Sequence, residues 1–430
     1  MSFPDASSSF WNAISPPAPK LERLQRDMQT DCVVVGAGFT GLNAAWHLMK
    51  RGLQVCVLEA HEPGWGASGR NGGMAVLRYK YGWSALARKF GNEATLLLYK
   101  LVQEAVNGIE SNVQELGIDG GFKRCGHITA AHTSADFQAL RDDIDWLAAT
   151  ADDRVPRLLS RSEAAEAIGT SVYRGGYLDS RAGGVNPLGY ARELASALSA
   201  RGLAMFSSTP VVKVESGEGR YRVHTEGGSV TARHLVIATN AYTGMRDLPG
   251  GLARRIIPVT SSVIATQPVP EDVYSSILPG GELVTDTRHL VNYFRRIPGN
   301  RILFGGRGSL SGLEKEEIYA GLFKQLCATF PALDSVSVEF RWSGRVAVTL
   351  DDFPHVGSWA SDGYFAMGYG GRGVALTHVL GRALADMVVG AKAGMGPMGK
   401  PLNAVPLHAW RLPAMNVVAS YYRLRDLLSI

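Results

Sequence analysis

The sequence predicts an α/β fold: a Rossmann-like dinucleotide-binding domain joined to a second, α+β domain. Three observations carry that reading. Residues 31–59 follow the order strand, glycine turn, helix, strand, and end on an acid. A second glycine-rich stretch, Gly64–Gly73, follows at once. Residues 241–340 then hold several short β-like runs, which suit a sheet laid over a bound cofactor.

Each element has a mechanical reason. The apolar run Cys32–Val35 reads as a buried strand. Gly36, Gly38 and Gly41 complete G-x-G-x-x-G around Phe39 and Thr40. Gly36 makes the tight turn, Gly38 lets backbone approach a pyrophosphate, and Gly41 lets helix pack on strand. The helix that follows, to Lys50, offers phosphates its free N–H groups and the positive end of its dipole. Gln54–Leu58 is a second strand. Glu59, which with Ala60 closes the unit, can accept both hydroxyls of an adenosine ribose. A plain glycine turn, the alternative, has no need of that acid. A nicotinamide-binding unit would continue here into another strand and helix. This chain instead has Ala67, Ser68, Arg70, Asn71, Gly72 and Gly73, a loop able to wrap the far side of a larger cofactor.

Three later segments join these two: Val236–Thr243, Arg341–Gly357 and Gly363–Val374. Together they resemble the FAD-dependent amine oxidoreductases of the D-amino-acid oxidase superfamily, the glycine and sarcosine oxidase group. The nearest likeness is to the gamma-glutamylputrescine oxidoreductase branch. It runs from Cys32 to the end, through Leu178–Leu188 and Ala419–Asp426. The resemblance implies FAD as cofactor. It places Ala238, Thr239 and Asn240 under the ribose and pyrophosphate, with Val212 beside them. It puts Gly344, Gly370, Gly371, Arg372, Gly373 and Val374 around the flavin.

The expected domains are discontinuous. Residues 1–30 form an extension packed on the surface. Residues 31–90, 171–240 and 341–392 form the FAD-binding domain, and 91–170 and 241–340 the substrate domain, whose antiparallel or mixed sheet covers the flavin. Residues 393–430 are a linker and a terminal helix, Val417–Leu428. Helical patterns cover 92–116, 134–170, Pro187–Arg201 and Val374–Val389. Pro210–Glu215 and Tyr221–Thr225 read as a strand pair, and Val259–Ala265, Asn292–Ile297 and Arg301–Gly305 as further strands.

Composition narrows the function by exclusion. A net charge of +5 without Lys/Arg runs gives no nucleic-acid signature. The four cysteines lack C-x-x-C spacing, which suits a reduced cytoplasm. No apolar stretch approaches a membrane span, and the first twenty residues hold no signal-peptide core. The ten histidines show no metal-site pattern. His47 is expected to be exposed in mid-helix.

The implied chemistry is removal of a hydride from an amine's α-carbon to flavin N5. The amine must be neutral, which for an alkylamine at pH 7 costs roughly 4–5 kcal/mol. An apolar, aromatic pocket lowers that cost by desolvation. Tyr79, Tyr81, Trp83, Tyr293, Phe294, Trp342 and Tyr369 are available, with ordinary core packing as the alternative for each. Tyr293 and Tyr369 are the favoured pair. Arg372 stands where relatives often carry His. It is expected to stabilise the reduced flavin or to bind a substrate carboxylate. Arg295 and Arg296 are neighbours in a strand, so one should face the flavin and one solvent; Arg296 is included among the catalytic candidates. Gly344–Asp352 has no Cys and Arg70-Asn71 no His, so non-covalent FAD is expected. Ile256–Gln267 has no Lys of the kind some oxidases use on oxygen, which leaves O2 or another acceptor for the electrons. The favoured small-molecule substrate is a gamma-glutamylated polyamine. The alternatives are an amino acid such as glycine, sarcosine, a D-amino or cyclic imino acid, or a non-catalytic FAD-bound redox subunit.

Overall fold

The computed structural model describes residues 9–245, 248, 251–308 and 315–428. Two eight-stranded sheets organise it. The first has a parallel core in the order Gly363–Met367, Ser229–Ile237, Met28–Val35, Val55–Leu58, Ala204–Phe206. Val34 sits between Val57 and Val236 in that register. Cys32–Val35 and Val55–Leu58 are buried throughout, as apolar runs covered on both faces must be. The strand pair Lys213–Gly217 and Arg220–His224 extends one edge, and His355–Ala360 pairs with Gly363–Met367.

Helix Phe39–Lys50 buries Phe39, Leu42, Ala45 and Leu48. It crosses Gly373–Val388 so closely that a Cβ on Gly381 would lie 2.6 Å from the Asn43 Cβ. His47 is half-buried at this crossing rather than exposed, and burial pulls its pKa down to about 3.

The second sheet runs Val338–Val348, Ile257–Thr266, Arg301–Arg307, Tyr293–Ile297, Leu283–Asp286, His127–Ala130, Gly176–Asp179, Arg157–Leu159. It is antiparallel except where Leu283–Asp286 runs parallel to His127–Ala130. The chain leaves this sheet after Asp179 and after Val348, later than a division at 171 and 341 would have it.

Asn92–Leu116 is a helix as expected and ends on Gly117 in the left-handed region, φ 66°. The pattern over 134–170 is two helices, Ser134–Thr150 and Arg161–Ile168. Arg157–Leu159 is a strand between them. Ser160 and Glu163 form a capping box that starts the second helix afresh. The last helix is longer than expected, Arg411–Leu428. The N-terminal extension does more than lie on the surface. Its short helix Phe10–Ile14 buries Phe10 and Trp11 among Leu188, Val263, Ile297 and Trp342.

Candidate cofactor and substrate site

The first glycine loop is shaped by its own backbone. Gly36 has φ 105° and donates its N–H to the Leu58 carbonyl at 2.9 Å. A Cβ on Gly41 would lie 1.9 Å from the Gly36 carbonyl oxygen, so Gly41 is a packing glycine. A Cβ on Gly38 would lie 2.9 Å from the Ser68 Oγ. That oxygen accepts the Phe39 N–H at 2.9 Å, so the two glycine loops touch. Glu59 is held by backbone: Oε2 accepts from Ala37 N at 2.7 Å and Oε1 from His61 N at 2.9 Å. Burial pushes its pKa up, and these donors oppose the shift. Each oxygen keeps a lone pair for a further donor.

The second loop is held from outside. The Arg70 carbonyl accepts from Trp342 Nε1 at 2.9 Å, Asn71 from Trp11 Nε1 at 2.8 Å, and Gly73 from Arg295 Nη1 at 2.7 Å. Asn71 also braces the loop internally, donating to Ala67 and Ser68 carbonyls and accepting from Gly73 N.

One long cavity runs between the loops. Gly36, Gly38, Phe39, Thr40, Glu59, Ala60, Ala67, Ser68, Asn71, Ala238, Thr239, Asn240, Tyr369, Gly371, Gly373 and Val374 line it. Its shape and donors fit a dinucleotide. The close glycine backbone and a helix N-terminus meet phosphates, and the buried Glu59 carboxylate on the wall meets ribose hydroxyls. Sequence reasoning missed His61, Trp65 and Tyr242 on the same wall. His61 stacks on Trp65 at 3.9 Å, and Tyr242 meets Trp65 edge-on at 5.6 Å. All three lie inside or beside segments already marked by the glycines, which was the available signal.

Other expected contacts fall elsewhere. Val212 is 42% exposed, while Val211 lines the cavity; extended backbone turns successive side chains to opposite faces. Arg70 is a brace, with Nε on the Trp65 carbonyl at 2.7 Å and its guanidinium over the Trp65 ring. Gly344 packs against the Arg70 Cβ, Gly72 against the Tyr293 ring, and Gly73 against the Val185 carbonyl. Gly370, φ 58°, turns the backbone ahead of Gly371.

The catalytic candidates separate. Tyr369 lines the cavity, and its hydroxyl shares a hydrogen bond with Thr40 Oγ1 at 2.8 Å. Burial pushes that hydroxyl's pKa well up, so it stays a neutral phenol. Tyr293 lies between Gly72 and Ser261, 3.0 Å from the Ser261 Oγ. Neither Arg295 nor Arg296 faces solvent freely. Arg296 donates to the carbonyls of Ile277 and Tyr274 and lies over the Tyr274 ring, away from the cavity. Arg295 serves the second loop. Tyr79, Trp83, Phe294 and Trp342 are buried and do not line the cavity. Asp351 and Asp352 form a turn over Thr349.

Arg372 is half-buried between Gly371 and Gly373, both on the cavity wall. Burial and the nearby charge of Arg78 press its pKa down, and Asp352 opposes them. A guanidinium remains charged at neutral pH regardless. His127, on the covering sheet, feels both arginines and is pulled to about 3, first by burial. Arg78 donates to Thr129 Oγ1, and His127 shares a hydrogen bond with Thr285 Oγ1 at 2.9 Å. Two arginines thus gather where the covering sheet meets the Gly370–Val374 loop. Arg78 was missed: it follows the second loop with no spacing to mark it.

Two glycine loops, an acid at the end of the second strand and a covering sheet define a dinucleotide-dependent oxidoreductase. The chain belongs to the family described as DAO, FAD dependent oxidoreductase, which matches residues 31–387; FAD is its cofactor. It is 32% identical over 377 residues to the "Probable oxidoreductase OrdL" of Haemophilus influenzae, covering 87% of this chain and 85% of that one. It is 29% identical over 427 residues to the gamma-glutamylputrescine oxidoreductase of Escherichia coli, covering 99% of each. Among solved structures it is similar to glycine oxidase from Geobacillus kaustophilus. That match has a TM-score of 0.74 at 22% identity and covers 88% of this chain and 100% of that one. Among the described residues, no helix is long and apolar enough to cross a membrane.

Proposed function

We propose that the protein oxidises an amine whose substrate molecule also carries a carboxylate, with gamma-glutamylated polyamines such as gamma-glutamylputrescine favoured. The observation that carries this is Arg372, held between Gly371 and Gly373 of the cavity wall, with the charge of Arg78 nearby. Both guanidiniums are cations, and a substrate carboxylate is a natural partner for them alongside Asp352. The full-length likeness to a gamma-glutamylputrescine oxidoreductase supports gamma-glutamylputrescine as that anion's bearer. Bound FAD supplies a two-electron acceptor for the hydride leaving the α-carbon. The chain's own groups prepare the amine. Nearby cations disfavour its ammonium form, as does the burial around Tyr369. No side-chain base is then required. The product imine hydrolyses to an aldehyde. We assign reoxidation to O2, forming H2O2, or to another carrier, and hold the FAD to be non-covalent because Gly344–Asp352 has no cysteine and Arg70-Asn71 no histidine. A cytoplasmic setting goes with these assignments.

The test is anaerobic bleaching of the bound flavin with gamma-glutamylputrescine, putrescine, sarcosine, glycine and D- and L-amino acids. Rapid bleaching by gamma-glutamylputrescine but not putrescine is expected. Bleaching by glycine or sarcosine alone would shift the assignment to an amino acid. Arg372→Met should lower kcat/KM about 10–100-fold, mainly through KM, as the loss of a charge-assisted hydrogen bond does.

A further inference from the structure

We propose that the N-terminal helix Phe10–Ile14 is a strap for the cofactor, and that Trp11 is a positioning residue acting on FAD through the second glycine loop. This rests on the family's cofactor and not on the substrate reading above. The strap lies ahead of the family match, which begins at residue 31. Ser9 caps the helix by accepting the Asn12 N–H, fixing its start. Trp11 is 1% exposed, and its indole N–H has one recorded partner, the Asn71 carbonyl at 2.8 Å. Asn71 lines the cofactor cavity, and its side chain ties Ala67, Ser68 and Gly73 together. A shift at Asn71 therefore moves the whole loop.

The rest of the segment shows that the strap is anchored. Phe10 packs edge-on to Phe340 of the covering sheet at 5.4 Å. Arg192, on a helix beside the parallel sheet, donates to the Pro16 carbonyl at 2.9 Å and to Asn12 Oδ1 at 3.1 Å. Arg295, which holds Gly73, has its guanidinium 6.0 Å from the Trp11 ring centre. The strap thus bridges the covering sheet and the helix Pro187–Ala200 and delivers one hydrogen bond to the second glycine loop.

The test uses the FAD-loaded enzyme and follows the rise in flavin fluorescence as FAD leaves on dilution. Trp11→Phe keeps an aromatic ring and removes the N–H, so the half-buried Asn71 loses that donor to its carbonyl. Release should quicken about tenfold, the effect of a lost hydrogen bond. Phe10→Leu loosens the same helix but keeps the bond. It should lower Tm while leaving the release rate within about twofold. Unchanged release in Trp11→Phe would overturn the proposal. So would equal acceleration in both variants at equal loss of Tm, since that is general loosening.

Discussion

The two glycine loops face each other across one cavity, yet they are built on opposite plans. The first is shaped by residues close in sequence: Gly36, Gly38 and Gly41 pack on their own turn, and Glu59 is held by Ala37 and His61. The second is shaped by donors from far away: Trp11, Arg295 and Trp342 reach its carbonyls from three distant parts of the chain. A local device works by excluding side chains. A remote one works by bringing further donors to the loop's backbone carbonyls.

Breaking the local device should cost most. Gly41→Ala forces a Cβ against backbone 1.9 Å away. We expect a loss of about 3–5 kcal/mol and little flavin in the purified protein, read by Tm and by the 450 nm band. Breaking the remote device should cost less. Arg295→Met leaves the Gly73 and Val185 carbonyls without that donor. A loss of about 2–3 kcal/mol follows, with faster flavin release, and an unchanged Tm would show that the second loop holds itself. Glu59→Gln sharpens the contrast. Its amide must turn an NH2 toward one of two backbone donors, so FAD binding should weaken about 10–100-fold by titration of the apoprotein.

The smallest effect concerns the helix crossing under the first loop. His378 shares a hydrogen bond with the Tyr190 hydroxyl at 2.7 Å and another with the Ala375 carbonyl. Burial pulls its pKa down to about 4, against the carbonyl. The unfolded chain takes up this proton near pH 6.5, and the folded protein only near 4. Stability is therefore whole above about pH 6.5 and drains away as pH falls toward 4. His378→Gln should shallow the fall in Tm between pH 7.5 and 5.0 without abolishing it, because His47 and His127 are shifted the same way.

The same contrast explains what could be read in advance. The first loop, its strands and its acid were legible because their mechanics repeat within thirty residues. Ser68 and Asn71 were marked by the glycines around them. The partners of the second loop were not, since nothing in Trp11 or Arg295 announces a carbonyl more than fifty residues off. Arg295 and Arg296 showed strand alternation but not the carbonyls that occupy them both. Val212 is exposed while its neighbour Val211 lines the cavity, a difference that residue type does not announce. Within the helical pattern over 134–170, the break was not legible, because it rests on a short strand and a capping box whose residue types are common anywhere on a surface.

The covering sheet gathers strands from residues 127 to 348 and interleaves them with the parallel sheet, and Thr377 lies on the cavity wall. The consequence is one of timing. As the chain leaves the ribosome, its first glycine loop emerges early but has nothing opposite it. The binding chamber closes only when the helix Gly373–Val388 arrives. Non-local pairing of this kind makes folding slow. Flavin thus meets its full chamber only after the helix Gly373–Val388 has joined the first glycine loop.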